Sequence, residues 1–216
     1  MAKEKERLAV LELRRMGWSI PCILRKIKVS KGTALRWCQE VQLTDQQLAA
    51  IKTEGHIRTA QAKKQEKATR CSLYQNEGLA CAANSDDPLL LVGAALYWGE
   101  GTKKSEVMLA NSDLRIIKIY IKWLLKCFSV DPKRLRYQIN IPKIFDETEI
   151  KEYWTEQLKD LVSIDQGQWY KTQIAKAKMS YKKHESYKGT IYIRLHDTNL
   201  LYKIEGILKG LQEKLL

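Results

Sequence analysis

Apolar residues recur at helical spacing along most of this chain and read as strands in only four short stretches, all from residue 106 onward. Near the start, Leu8 and Leu11, with Val10 as a further candidate, share one face of "AKEKERLAVLELRR", and Gly17 is the residue type that ends such a helix. Ser19 and Pro21 mark the start of a second helix, "IPCILRKI", and Ser30 caps a third, "KGTALRWCQEV". Ile20, Ile23, Ile27, Val29, Leu35 and Trp37 are the expected core of this group. Residues 44–87 lose that texture. They are rich in Gln, Ala and Lys with sparse apolar anchors, which predicts a helical linker interrupted near Gly55 and Gly78.

From residue 88 the pattern tightens again. Asp87 and Pro88 are an acidic cap followed by proline at the first helical position, and "LLLVGAALYWGE" is the helix they open. "EVMLANSD" reads as a short strand, and "DLRIIKIYIKWLLKCF" as an amphipathic helix with Leu114, Ile117, Tyr120 or Ile121, and Leu124 along its stripe. "RLRYQINI" alternates like a strand with one wet face, "TEIKEYWTEQL" is helical, and "WYKTQIAKAK" and "GTIYIRLHD" are two further strands. "TNLLYKIEGILKGLQEKL" closes the chain as a helix. Trp123 and Trp154 fall on apolar faces and are expected in the core, with Trp98 packed on the sheet beneath its own helix. The class is α+β: a helical group over residues 1–43, a helical basic linker over 44–87, and a domain over 88–216 with helices on one face of a mostly antiparallel sheet.

Charge narrows the choice of partner. The net charge of +13 and the pI near 9.5 point to a polyanion. Residues 1–70 carry 16 Lys/Arg against 7 Asp/Glu, so the front of the chain holds most of the excess. No apolar run approaches the roughly 20 residues that span a bilayer, and the charged start lacks a signal-peptide core; a cytoplasmic, nucleoid-associated protein is the expectation. Cys22, Cys38, Cys71, Cys81 and Cys127 are odd in number and contain no CxxC pair, the pattern of reduced thiols. No Ser/His/Asp or Cys/His arrangement suggests a nucleophile, and His56, His184 and His196 are too dispersed for a metal motif.

Two short helices joined by a tight turn make a helix-turn-helix, whose last helix faces base edges in the major groove with its N-terminal residues. Here those are Lys31, Thr33 and Ala34, with Arg36 further along and Ser30 at the cap. The stretch "GWSIPCILRKIKVSKGTALRWCQEV" resembles the helix-turn-helix domains of resolvases and small phage DNA-binding proteins. The linker that follows is either a spacer or a basic helix lying along phosphates. Later, "KTQIAKAKMSYKKHESYK" at 171–188 holds six lysines against one acid, and Lys176, Lys178, Lys182 and Lys183 are candidates to reach the DNA backbone.

The segment "VGAALYWGEGT", followed by "LANSDLRIIKIYIKWLLKCF" and "IYIRLHDTNLLYKI", resembles the LAGLIDADG domain of homing endonucleases and related proteins across most of residues 88–212. The resemblance implies that two such helices, here from two subunits, pair along small residues, with Ala95 and Gly99 at the dimer interface. It implies that Glu100, with the Gly99 carbonyl, holds Mg²⁺ or another divalent cation over duplex DNA. By the same alignment Arg194 stabilises developing charge, Asn111 orients water, and Lys103 and Lys104 lie near the scissile backbone. The chain departs from the motif in having Glu where Asp is common and Trp98 at the position of the first acid. The expected function is therefore sequence-specific binding of double-stranded DNA by a homodimer, as a divalent-metal-dependent endonuclease. The alternative is a non-cleaving transcription regulator that uses this domain for dimerisation and recognition.

Overall fold

A computed structural model describes residues 2–175 and 187–216. The chain divides into two compact units, Met1–Ala68 and Thr69–Leu216. The class is α+β, with eight α-helices and a four-stranded mixed sheet among the described residues. No helix among them is long and apolar enough to cross a membrane.

In the first unit α1 (Ala2–Arg15), α2 (Ile20–Lys26) and α3 (Lys31–Cys38) close around Val10, Ile23 and Cys38, with Leu13, Trp18, Ile20, Ile27, Val29 and Trp37 packed on them. Arg14 donates to the Trp18 carbonyl at 2.9 Å and ties the end of α1 to the turn that follows. The buried face of α1 runs through Val10 and Leu11, and Leu8 is exposed instead of joining it. Two readings of α3 need correction. Ala34, expected to face bases, is wholly buried, and Leu35, expected in the core, is 45% exposed. The reason is geometric: α3 buries Ala34 and Cys38, one turn apart, so Lys31, Gly32, Leu35 and Arg36 share the outer face.

α4 (Asp45–Asn84) begins with a reciprocal cap, in which Gln47 N–H donates to Thr44 Oγ1 and Thr44 N–H donates to Gln47 Oε1. It runs 40 residues without a break at either glycine. Gly55 has open space, whereas Gly78 is a contact: a Cβ there would lie 2.1 Å from the Lys203 carbonyl oxygen. The last turns of the expected linker are thus structural parts of the second unit.

That unit contains α5 (Pro88–Glu100), β1 (Val107–Asn111), α6 (Leu114–Phe128), β2 (Arg136–Ile141), α7 (Glu147–Leu158), β3 (Gln173–Ile174), β4 (Thr190–Leu195) and α8 (Thr198–Leu215). The strand order is β1-β4-β2-β3, antiparallel except for the β2/β3 pair. The third strand is shorter than expected, and it is parallel because it follows a full crossover through α7. Ile191, Ile193 and Leu195 of β4 are buried while Thr190, Tyr192 and, to a smaller degree, Arg194 keep some exposure, so one sheet face meets the helices and the other is the wetter one. Asp87 caps α5 as the sequence predicts, accepting from Leu89 N–H, and the structure adds Asp113, which accepts from Arg115 N–H at the start of α6. The Arg115 side chain also meets the Asp113 carboxylate at 2.7 Å and holds it down to about 2. Trp123 and Trp154 are in the core, whereas Trp98 is 40% exposed.

Candidate functional site

α5 has two faces with different duties. Leu90, Gly93, Ala94 and Tyr97 point into the core. A Cβ on Gly93 would sit 2.2 Å from the Trp123 ring, so glycine is required for α5 to approach α6. On the other face Leu91, Val92, Ala95, Trp98, Gly99 and Glu100 are all exposed, and a Cβ on Gly99 would meet nothing within 4 Å. The small residues at 95 and 99 are therefore unexplained by packing among the described residues.

The end of α5 is held tightly. Gly101 N–H donates to the Tyr97 carbonyl at 2.8 Å, and a Cβ at Gly101 would stand 2.5 Å from the same carbonyl and from the tyrosine ring. The Tyr97 hydroxyl donates to the Thr102 carbonyl, and burial among Tyr120 and Trp123 pushes this phenol well above its ordinary range. Thr102 N–H then donates to Met108 O at 2.9 Å. Met108 is the register partner of Arg194, and Arg194 that of Arg136. One cross-strand row thus runs from the end of α5 across the sheet.

Arg194 lies in that row, but its guanidinium is occupied. Nη1 meets Glu106 Oε1 at 2.5 Å and Nη2 donates to Gln138 Oε1 at 2.8 Å, with both members of the ion pair more than four-fifths buried. Gln138 in turn donates to the Lys171 carbonyl. The other Glu106 oxygen stands 3.2 Å from His196 Nδ1, and His196 Nε2 is 2.9 Å from the Tyr170 hydroxyl. Sequence reading missed Glu106, Gln138 and Tyr170. The available signal was weak: an acid just before β1 and a glutamine on the alternating wet face of β2.

The remaining predicted residues are placed as follows. Asn111 sits at the far end of β1 from Met108, and its Oδ1 accepts from Asp113 N–H at 2.8 Å in the turn into α6. Lys103 and Lys104 are exposed just past Glu100. In the first unit the Ser30 hydroxyl accepts from Thr33 N–H and bonds the Thr33 hydroxyl at 2.8 Å, so both are spent on capping α3. Lys31 and Arg36 remain exposed on its outer face. Lys176, Lys178, Lys182, Lys183 and His184 lie outside the described residues.

Glu100 is exposed and makes no ion pair with a described residue. Among the described residues of one chain no group of three or more His, Cys, Asp or Glu could hold a metal ion. A single carboxylate with one carbonyl is too small a donor set for a hard divalent cation, which takes six or more oxygens, water included. The residues fit a cation only if a second copy brings its own Glu100 alongside. No protein-family model, no curated protein and no solved structure matches this chain.

Proposed function

We propose that the protein binds double-stranded DNA as a homodimer paired through α5, with α3 in the major groove and the two Glu100 carboxylates brought together as a divalent-metal site for strand cleavage. The observation that carries this reading is the outward face of α5, where Ala95 and Gly99 stand one turn apart among exposed Leu91, Val92 and Trp98, and the helix ends on Glu100. Small residues let two backbones approach closely, and the flanking apolar side chains supply area that water disfavours. The negative end of each helix dipole adds to the attraction for a cation at that point. A bound divalent ion would supply Lewis-acid activation of a phosphodiester and of water. The wet sheet face, with Arg136, Asn140, Thr190 and Tyr192, offers the hydrogen-bonding groups that read base edges.

A second reading keeps DNA binding and drops cleavage. Two observations favour it: Arg194 is committed to Glu106 and Gln138, and Asn111 to a turn. One experiment separates the readings. Protein is incubated with randomised duplex DNA and Mg²⁺, and both retained molecules and new ends are sequenced. Discrete ends within an enriched motif, absent with EDTA and absent in Glu100→Gln, are expected of the nuclease. Enrichment with intact ends supports the regulator, and no enrichment removes both.

The pairing has its own test. Ala95→Leu is expected to convert the dimer to monomer by light scattering, because the added side chain separates the helices while facing away from the core. A dimer mass retained by the variant would remove α5 as the interface.

A further inference from the structure

The long helix α4 carries a feature that neither the recognition helix nor the α5 pairing uses. Within the first unit, Lys52, His56, Lys63 and Lys67 follow one another at steps of four, seven and four residues. At about 100° per residue those steps return to within roughly 60° of the same direction, so the four side chains form one stripe. All four are exposed, and none takes part in an ion pair among the described residues. At a rise of about 1.5 Å per residue the stripe is roughly 22 Å long.

The opposite side of the helix is the one attached to α1–α3. Gln47 donates to the Arg15 carbonyl at 3.0 Å, and Glu54 accepts from Cys22 at 3.1 Å. Both lie more than 120° around the helix from the centre of the stripe. Beyond Arg58 every residue through Arg70 is exposed, so this part of α4 has no apolar face to bury and is not held by packing. Glu66, at the edge of the stripe, is the one acid between Glu54 and Arg70. Such a straight, single-sign row suits a regularly charged polyanion better than a protein surface of mixed charge. Duplex DNA, with a phosphate every 3.4 Å or so along each strand, supplies that regularity.

We infer that the Lys52–His56–Lys63–Lys67 stripe of α4 is a phosphate-contacting surface that lies along the DNA backbone. This rests on the proposal that the protein binds duplex DNA, and it adds a contact that raises affinity without reading sequence. Each lysine that neutralises a phosphate contributes about 0.9 to the slope of log K against log salt.

The test uses the full chain carrying Lys52→Gln, Lys63→Gln and Lys67→Gln together. Glutamine is close to lysine in helix propensity, so far-UV circular dichroism should match the parent. Affinities for the selected motif and for random duplex are measured across a salt series. The triple variant is expected to lose about 2.7 from the slope and to weaken on both DNAs by the same factor. Arg58→Gln, on the other side of the helix, controls for net charge and should leave most of the parent slope in place. Equal slopes for triple variant and parent would overturn the stripe while leaving DNA binding intact. A loss from Arg58→Gln equal to that from one stripe lysine would reduce the effect to bulk charge and overturn it also. No binding of duplex by the parent at low salt would overturn the DNA reading and the stripe together.

Discussion

Gly206→Ala is expected to destabilise the second unit by about 3 kcal/mol, the upper part of the usual cost of overpacking. The sign is informative, because Gly to Ala inside a helix ordinarily stabilises by up to about 1 kcal/mol. Here α4 and α8 meet backbone to backbone. A Cβ on Gly206 would stand 2.1 Å from the Gln75 carbonyl oxygen, and the reciprocal Cβ on Gly78 would stand 2.1 Å from the Lys203 carbonyl. Neither obstacle is the end of a flexible side chain, so the helices themselves must move apart by about 1 Å, loosening Ala82 and Ile207 in the core beside them. Gly99→Ala is the control, since that position has open space, and dilute protein carrying it should gain stability. Urea unfolding measures both. A Gly206→Ala midpoint equal to that of the parent would mean that the two helices do not touch there.

Glu106→Ala should be at least as damaging, costing about 3–5 kcal/mol because it leaves the mostly buried Arg194 guanidinium with only Gln138. The penalty comes from the stranded charge rather than from the worth of the pair. Replacing both partners by apolar residues, Glu106→Leu with Arg194→Met, is therefore expected to recover most of the loss. A double-mutant cycle in urea gives the coupling directly. Two single changes that simply add would show the pair to be uncoupled. The same cycle bears on cleavage, because an Arg194 needed only for structure becomes dispensable once Glu106 is gone.

The parts of the fold that follow from contiguous residues were legible. Asp87 with Pro88, and Ser30, each start a helix by offering an oxygen to an N–H two or three positions ahead, and nothing distant is needed to see it. The stripe of α6 at Ile117, Tyr120, Ile121 and Leu124 is likewise a property of its own spacing. Burial on short helices was harder to read. α3 is only eight residues long, so a small change in rotation exchanges Leu35 for Ala34 between solvent and core.

Glycines show the same boundary. Gly78 reads as a helix breaker and Gly99 as a close-packing residue, yet within the chain Gly78 is the one pressed against another backbone and Gly99 faces open space. A missing side chain says that something approaches or that the chain bends, and only the neighbouring element decides which. The network around Arg194 lay further out of reach. Its partners Glu106 and Gln138 are 88 and 56 positions away, and they meet only because β1 and β2 flank β4 in one register. By itself the sequence determined most of the helices, the Ser30 and Asp87 caps, the α+β class and the basic charge, because those depend on neighbours within a turn or two. Tertiary structure alone decided which face of α5 is left open and which groups hold Arg194, because both depend on contacts between elements that chain order does not specify.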